Sequence, residues 1–338
     1  MKALFITTLR PGRGLSFGLS LILCLSLFTA CKSQQAPTNL SQNGKELYNM
    51  NGKKILSDQF EKIDFFIGNY LVQKGNLKGL YNTSGRQILP CNFDRIELYT
   101  GNYLVQQGNK KGLYNTSGKE IMPCKFNRIE LYTGNYLVQQ GNKKGLYNTS
   151  GKEILPCNFD RIELYTGNYL VQQGNKKGLY NTSGKEIMPC KFNRIELYTG
   201  NYLVQQGNKK GLYNTSGRQI LPCNFDRIEL YTGNYLVQQG NKKGLYNTSG
   251  KEIMPCKFNR IELYTGNYLV QQGNKKGLYN TSGKEIMPCQ FDRIDFYTGN
   301  YLVQKGNLKG LYNTNGIQIM PCKYKNITMY RGEWLGEM

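Results

Sequence analysis

Residues 101–133 read GNYLVQQGNKKGLYNTSGKEIMPCKFNRIELYT, and the fold class follows from this stretch. Tyr103-Leu104-Val105-Gln106 is a short strand pattern, and Gly108-Asn109 after it is a turn. Leu113-Tyr114-Asn115 reads as a second strand and Ser117-Gly118 as a second turn. Glu120-Ile121-Met122 reads as a third strand, stopped or bent at Pro123, which has no amide hydrogen to give a ladder. From Arg128 to Tyr132, Ile129 and Leu131 alternate with Arg128 and Glu130, the pattern of a half-buried fourth strand. Nothing in the stretch has helical period or length. Strands this short form an antiparallel meander that cannot bury its own face and must stack on further copies.

The copies are present at a period of 33 residues. Leu-Tyr-Asn recurs from Tyr48 through Tyr81 and Tyr114 to Tyr312, Tyr-Leu from Tyr70 to Tyr301, and Pro-Cys from Pro90-Cys91 to Pro321-Cys322. In the first copy the Pro-Cys slot holds Ser57-Asp58. Copies alternate in pairs, ILPCNFDRI at 88–96 and IMPCKFNRI at 121–129, which points to duplication of a two-repeat block. The expected fold is all-β: about nine tandem 33-residue antiparallel meanders over 44–338, forming a propeller-like ring or a curved β-solenoid. The array begins at the second strand of a unit and finishes with what reads as the first strand of another, Trp334-Leu335. That favours ring closure by a shared unit. Leu77 and Leu308, replacing an interior lysine, and Asp58, replacing Cys, suit caps of an open array.

The run of strand, turn, x-Gly-Leu-Tyr-Asn, Gly-Lys, Ile-x-Pro and aromatic-Asp/Asn resembles the bacterial WG (KWG) repeat. The resemblance covers about 46–330 and departs at the defining dipeptide, which is Lys111-Gly112 here, and at the Cys after Pro. It implies an extracytoplasmic β-repeat protein and no particular reaction.

Residues 1–30 read as a removable lipoprotein signal peptide: Lys2, Arg10 and Arg13 precede an apolar run from Leu15 to Ala30 that is short for a membrane span. The run ends Leu27-Phe28-Thr29-Ala30-Cys31, which resembles the lipobox of bacterial lipoproteins, with Phe28 in place of the usual Leu. On that resemblance Cys31 is acylated and anchors the chain to a membrane; an ordinary signal peptide cut after Ala30 is the alternative. Residues 31–43 are then the acylated Cys and a polar tether. Lys32 after the cysteine resembles Gram-negative lipoproteins bound for the outer membrane, so the expected address is the bacterial cell envelope.

Composition narrows the chemistry further. The chain has 338 residues, 44 Lys and Arg against 22 Asp and Glu, a formal charge of +22 and no His. Serine-histidine and cysteine-histidine hydrolases and His-ligated metal sites are excluded. Glu120 and Glu130 recur without an acid partner, and no internal copy carries a singular polar insertion where an active site would break the symmetry. No catalytic residue, metal site or cofactor is expected, and the chain does not read as an enzyme.

Three groups of recurring residues remain. Eight cysteines, one per copy from Cys91 to Cys322, read as small buried hydrophobes, Cys124 sharing strand parity with Met122 and Phe126; a disulfide would need neighbouring copies within about 7 Å between Cα atoms. Tyr103, Tyr114 and Tyr132 with their equivalents are cross-strand packing partners or a ligand-facing stacking platform. Lys110, Lys111 and Lys119 flank turns and are expected on one rim, as a solvated face or as a positive stripe for polyanions. Asn115-Thr116-Ser117 matches a glycosylation sequon and reads as turn chemistry. The expected function is a non-enzymatic envelope lipoprotein whose array binds or scaffolds an envelope protein, an acidic glycan or lipopolysaccharide, nucleic acid not being the expected partner. A structural spacer or coat, and a cell-wall or glycan-active enzyme, are the alternatives.

Overall fold

A computed structural model describes residues 46–57 and 59–338; residues 1–30, read above as a signal peptide, Cys31, the expected tether and Asp58 lie outside them. The chain divides into two units. One runs up to Gly108 and includes Tyr114–Lys119; the other is Asn109–Leu113 with Glu120–Met338. The first contains a hairpin of Leu47–Tyr48 and Lys54–Leu56, then a four-stranded sheet from Lys62–Phe66 to Gln87–Phe93. In the larger unit six four-stranded sheets follow one another, beginning at Arg128, Arg161, Arg194, Arg227, Arg260 and Arg293.

One sheet stands for all. Its strands are Arg128–Tyr132, Asn135–Gln140, Lys143–Tyr147 and Glu153–Phe159, antiparallel and paired in chain order. All four expected strands exist, but the window 101–133 is out of phase with the sheets. Its boundary cuts a hairpin: Tyr132 pairs with Asn135 across Thr133-Gly134, so Arg128–Tyr132 is the first strand of one sheet rather than the last of another. Both turn residues have positive φ, 47° and 77°, as a two-residue hairpin of this hand requires. A β-branched threonine in that region costs about 1–2 kcal/mol, which is why it gives no turn signal. The Gly141-Asn142 turn has positive φ only at Gly141 (60°), the alternative two-residue solution. In the third turn Asn148 Oδ1 accepts from Ser150 N, Ser150 Oγ and Lys152 N. The sequon asparagine is a turn cap with its side chain already engaged.

Proline does not end the fourth strand. Leu155 faces Leu146 and Phe159 faces Lys144, so Pro156-Cys157-Asn158 bulge opposite the single residue Gly145. A Cβ on Gly145 would lie 2.8 Å from Cys157 Sγ and 2.9 Å from Cys157 N; the bulge closes directly over the glycine. The Lys-Gly and Pro-Cys motifs are therefore two halves of one device.

The core lies between consecutive sheets. Leu146, Leu155 and Phe159 of one pack on Ile162, Tyr169 and Val171 of the next, and Leu179, Met188 and Phe192 on Ile195, Tyr202 and Val204. Each such side chain contributes about 1.5–3 kcal/mol on burial. No polar or charged residue is buried among the described residues. Leu47, Leu56 and Phe60 meet Ile63, Tyr70 and Val72 in the same way within the first unit. At the far end Asn326–Tyr330 pairs with Glu333–Glu337 in a two-stranded sheet, with Trp334 opposite Met329. Among the described residues each terminal hairpin is a two-stranded sheet by itself, with no strand contributed from another sheet.

Two glycines separate backbone strain from packing. Gly134 (φ 77°) has open space where a Cβ would go, whereas a Cβ on Gly151 (φ 83°) would stand 2.0 Å from the Ile121 carbonyl oxygen of the preceding sheet. Both alanine variants strain the backbone, but only Gly151→Ala also forces two sheets apart. In urea unfolding, Gly151→Ala is expected to cost roughly 2 kcal/mol more than Gly134→Ala; equal losses would mean the intersheet contact yields freely.

Candidate binding surfaces

The antiparallel turns give every sheet two different ends. The Thr-Gly and Asn-Thr-Ser-Gly turns lie at one end, and the Gly-Asn turn lies at the other with the corner between the fourth strand and the next sheet. Lys143 and Lys144 leave the Gly-Asn turn, while Lys152 follows the Asn-Thr-Ser-Gly turn after the third strand has crossed the sheet. The lysines of the Lys110, Lys111 and Lys119 series therefore do not share one rim. A five-residue strand at about 3.3 Å per residue separates them.

Lys110 and its equivalents hold the corner. Lys110 Nζ donates to Asn127 Oδ1 at 3.1 Å, and Lys143 Nζ to Asp160 Oδ1 at 2.5 Å. Asp160 Oδ2 also accepts from the Gly174 amide of the next sheet at 2.6 Å. These two contacts, the lysine ammonium first, hold its carboxyl below the usual carboxylate range. The alternation between copies follows from this corner. Where it is Asp, the lysine is neutralised. Where it is Asn, the residue before Phe is a lysine instead, and Lys125 Nζ lies 5.2 Å from the Phe126 ring and 6.0 Å from that of Tyr147. Lys111 and its equivalents are half-buried on the sheet face, where Lys276 lines a shallow recess with Arg260, Glu262 and Gln271. Lys119 and Lys152 are exposed, their backbone amides bound to Asn115 and Asn148.

All three tyrosine series are engaged in the stack. Tyr103 is 2% exposed and its hydroxyl accepts from Asn69 Nδ2 at 2.9 Å; Asn135 and Tyr169 repeat the contact at 3.0 Å. Tyr114 meets Phe93 edge-on at 5.5 Å, as Tyr147 meets Phe126 at 5.3 Å, and Tyr147 donates to Glu153 Oε2 at 2.6 Å. The Tyr132 hydroxyl accepts from the Leu164 amide of the following sheet at 2.8 Å, which caps an outward-facing edge amide. Of the two readings, ring platform or packing partner, burial and hydrogen bonding support packing.

The cysteines are free thiols, half-buried, with no disulfide among the described residues. Strand parity misplaced them. Met188 and Phe192 pack on the following sheet, whereas Cys190 packs with Leu155 and Phe159 of the preceding one. The three-residue bulge turns the thiol to the opposite face, over the glycine. Among the described residues no three acidic or thiol side chains gather as they would around a metal ion.

The alternation rule also hid one feature. Leu131 shares a strand face with the buried Ile129, yet it is 52% exposed, and Leu164, Leu197, Leu230, Leu263 and Phe296 repeat this in sheet after sheet. Each lies at the end of its first strand, beyond the cover of the neighbouring sheet. Beside Leu164 a groove of about 460 Å³ opens between two sheets, lined by Thr133, Asn135, Lys152, Glu153 and Ile154. No sequence signal separates this leucine from a core residue.

A stack of identical sheets presenting one register of side chains many times is a repeat-based binding or structural module. The sequence profile described as "WG containing repeat" matches seven consecutive windows, 79–110, 112–143, 145–176, 178–209, 211–242, 244–275 and 277–308. The chain belongs to that family, with lysine in place of its tryptophan. No curated protein matches the chain. Among solved structures, a eukaryotic initiation factor aligns at 10% identity and a TM-score of 0.24, over 77% of this chain and 87% of that one. AztD of Citrobacter koseri aligns at 9% and 0.22, over 82% and 91%. PorZ of Porphyromonas gingivalis, described as an essential surface component of the type-IX secretion system, aligns at 8% and 0.21, over 75% of this chain and 44% of PorZ. Scores this low support no inference about this chain.

The half-buried thiols and phenols set a pH limit. Burial first, then Glu120, raises the Cys124 thiol from 9.0 to about 11; burial first, then the bond to Glu186, raises Tyr180 from 10.0 to about 12. The folded state holds these protons more tightly, so the stability linked to them is complete below about pH 9 and is lost as pH rises towards 12. The melting temperature is expected to lose this contribution between pH 9 and 12, and a Cys124→Ala variant to lose less. An unchanged alkaline slope in that variant would refute the assignment.

Proposed function

We propose that this protein is a lipid-anchored component of the bacterial cell envelope whose WG-repeat array, without catalysis of its own, binds or scaffolds protein or glycan partners. The observation that carries the reading is the half-exposed leucine at one register of consecutive sheets, from Leu131 to Leu263. Half-exposed apolar side chains of that size, recurring at one register, offer a partner the same apolar contact at every step, beside Leu164 with a groove to enter. Lys152, Glu153 and the turn hydroxyls around it supply polar contacts. The anchor rests on Leu27-Phe28-Thr29-Ala30-Cys31 and its resemblance to a lipobox, and the outer membrane on Lys32.

Because these leucines lie outside the core, Leu164→Ser, Leu197→Ser and Leu230→Ser combined are expected to leave the melt within about 0.5 kcal/mol per site while abolishing retention of the envelope partner in pull-downs. Retention by the triple variant equal to that of the parent would sink the binding reading. Deletion of 161–226, two whole repeats, separates this from a spacer: capture is expected to fall stepwise if each copy binds, whereas a spacer without a ligand would keep its function. Cys31→Ser is expected to release the protein from the membrane fraction and to end incorporation of labelled palmitate; continued incorporation would remove the anchor from the proposal.

A further inference from the structure

We infer that the Gly-Asn end of the array, opposite the leucine rim, binds a linear anionic polysaccharide. The sheets sort their charges by end. At the Thr-Gly end Lys152 and Lys185 are each followed by a carboxylate, Glu153 and Glu186. At the Gly-Asn end Lys143 is neutralised by Asp160 and Arg161 by Glu163. Lys176 there has only a neutral partner, Asn193 Oδ1 at 3.0 Å. Lys144 and Lys177 form no salt bridge among the described residues, and Lys191 is exposed before the Phe192 ring. In the larger unit most of the uncompensated positive charge is thus set along one side of the stack, Arg218 before Gln219 being the exception at the other end. Consecutive Gly-Asn ends lie alongside one another, since Asp160 takes its two donors from adjoining sheets.

The surrounding groups select the class of polymer. Gln140, Asn142, Gln173 and Asn175 are exposed at the same turns and suit sugar hydroxyls, while the lysines suit carboxylates or sulfates. No exposed aromatic ring is available there among the described residues of the larger unit, because Phe159 and Phe192 are buried, so the base stacking that single-stranded nucleic acid uses is missing. Asp160 and Glu163 recur between the cations, a charge density that suits a flexible polymer with one anion per sugar better than a duplex with a charge every ~1.7 Å. The inference stands on this end alone and does not need the lipid anchor or the leucine rim.

The test uses the full chain with polygalacturonate as probe, and with dextran, double-stranded DNA and phosphatidylglycerol vesicles as comparisons. Binding is expected to polygalacturonate, to weaken with salt and to fall about tenfold or more when Lys144, Lys177, Lys210 and Lys243 are all changed to Gln. The matched set at the other end, Lys152, Lys185, Lys251 and Lys284 to Gln, is expected to change it less than about twofold. Equal losses from both sets would overturn the assignment to this end, and DNA or vesicles binding as tightly as polygalacturonate would overturn the polysaccharide. Absence of binding at low salt would overturn both. Should the first set fail to fold, acetylation footprinting of the unaltered chain decides: polygalacturonate is expected to shield Lys144 and Lys177 but not Lys152, and uniform labelling would refute the inference.

Discussion

A meander of four short strands has two faces and no helix to cover either, and everything else in this molecule answers that constraint. Each sheet buries one face against the sheet before it and the other against the sheet after it, with Leu, Phe and Leu or Met meeting Ile, Tyr and Val. Stability in such an array is a sum of neighbour terms, so what matters in any copy is how well it seats on the next. The polar residues serve the same purpose. Asn135, Tyr132 and Asp160 each reach from one sheet into the following one, which fixes the register between sheets that apolar contact alone would leave free to slide.

The bulge at Pro-Cys is the second constraint. Closing three residues over Gly145 bends the last strand and sends its thiol to the face opposite that of its neighbours in sequence. The cysteine becomes a plug in the preceding interface, its thiol pKa raised by burial. The same economy applies to most of the tyrosines, whose rings and hydroxyls are engaged in the stack, with Tyr297 and Tyr330 at the far end exposed. What remains for a partner is at the two ends: an apolar step with mixed charge at the Thr-Gly turns, and uncompensated lysine at the Gly-Asn turns.

The all-β class, the 33-residue period, the presence of four strands and the turn role of Asn115-Thr116-Ser117 were legible, because alternation and Gly-Asn or Ser-Gly turns are local signals. The phase of the repeat was not, because Thr133 enters its hairpin against its own preference. Leu131 looked like core because alternation reports which face a residue takes and not how far the neighbouring sheet extends. Lys111 and Lys119 looked like one rim because eight positions in sequence say nothing about a strand running from one end of the sheet to the other.

By itself, then, the sequence determined the repeat, the strand content, the turn chemistry and the sign of the charge, all properties of short segments and of composition. Only the tertiary structure decided which strands share a sheet, which face each cysteine takes, which tyrosines are lost to packing and at which end the lysines gather. Those depend on pairing across turns and on seating one sheet on the next, and contacts 14 to 36 residues apart leave no local trace in a chain whose copies are nearly identical.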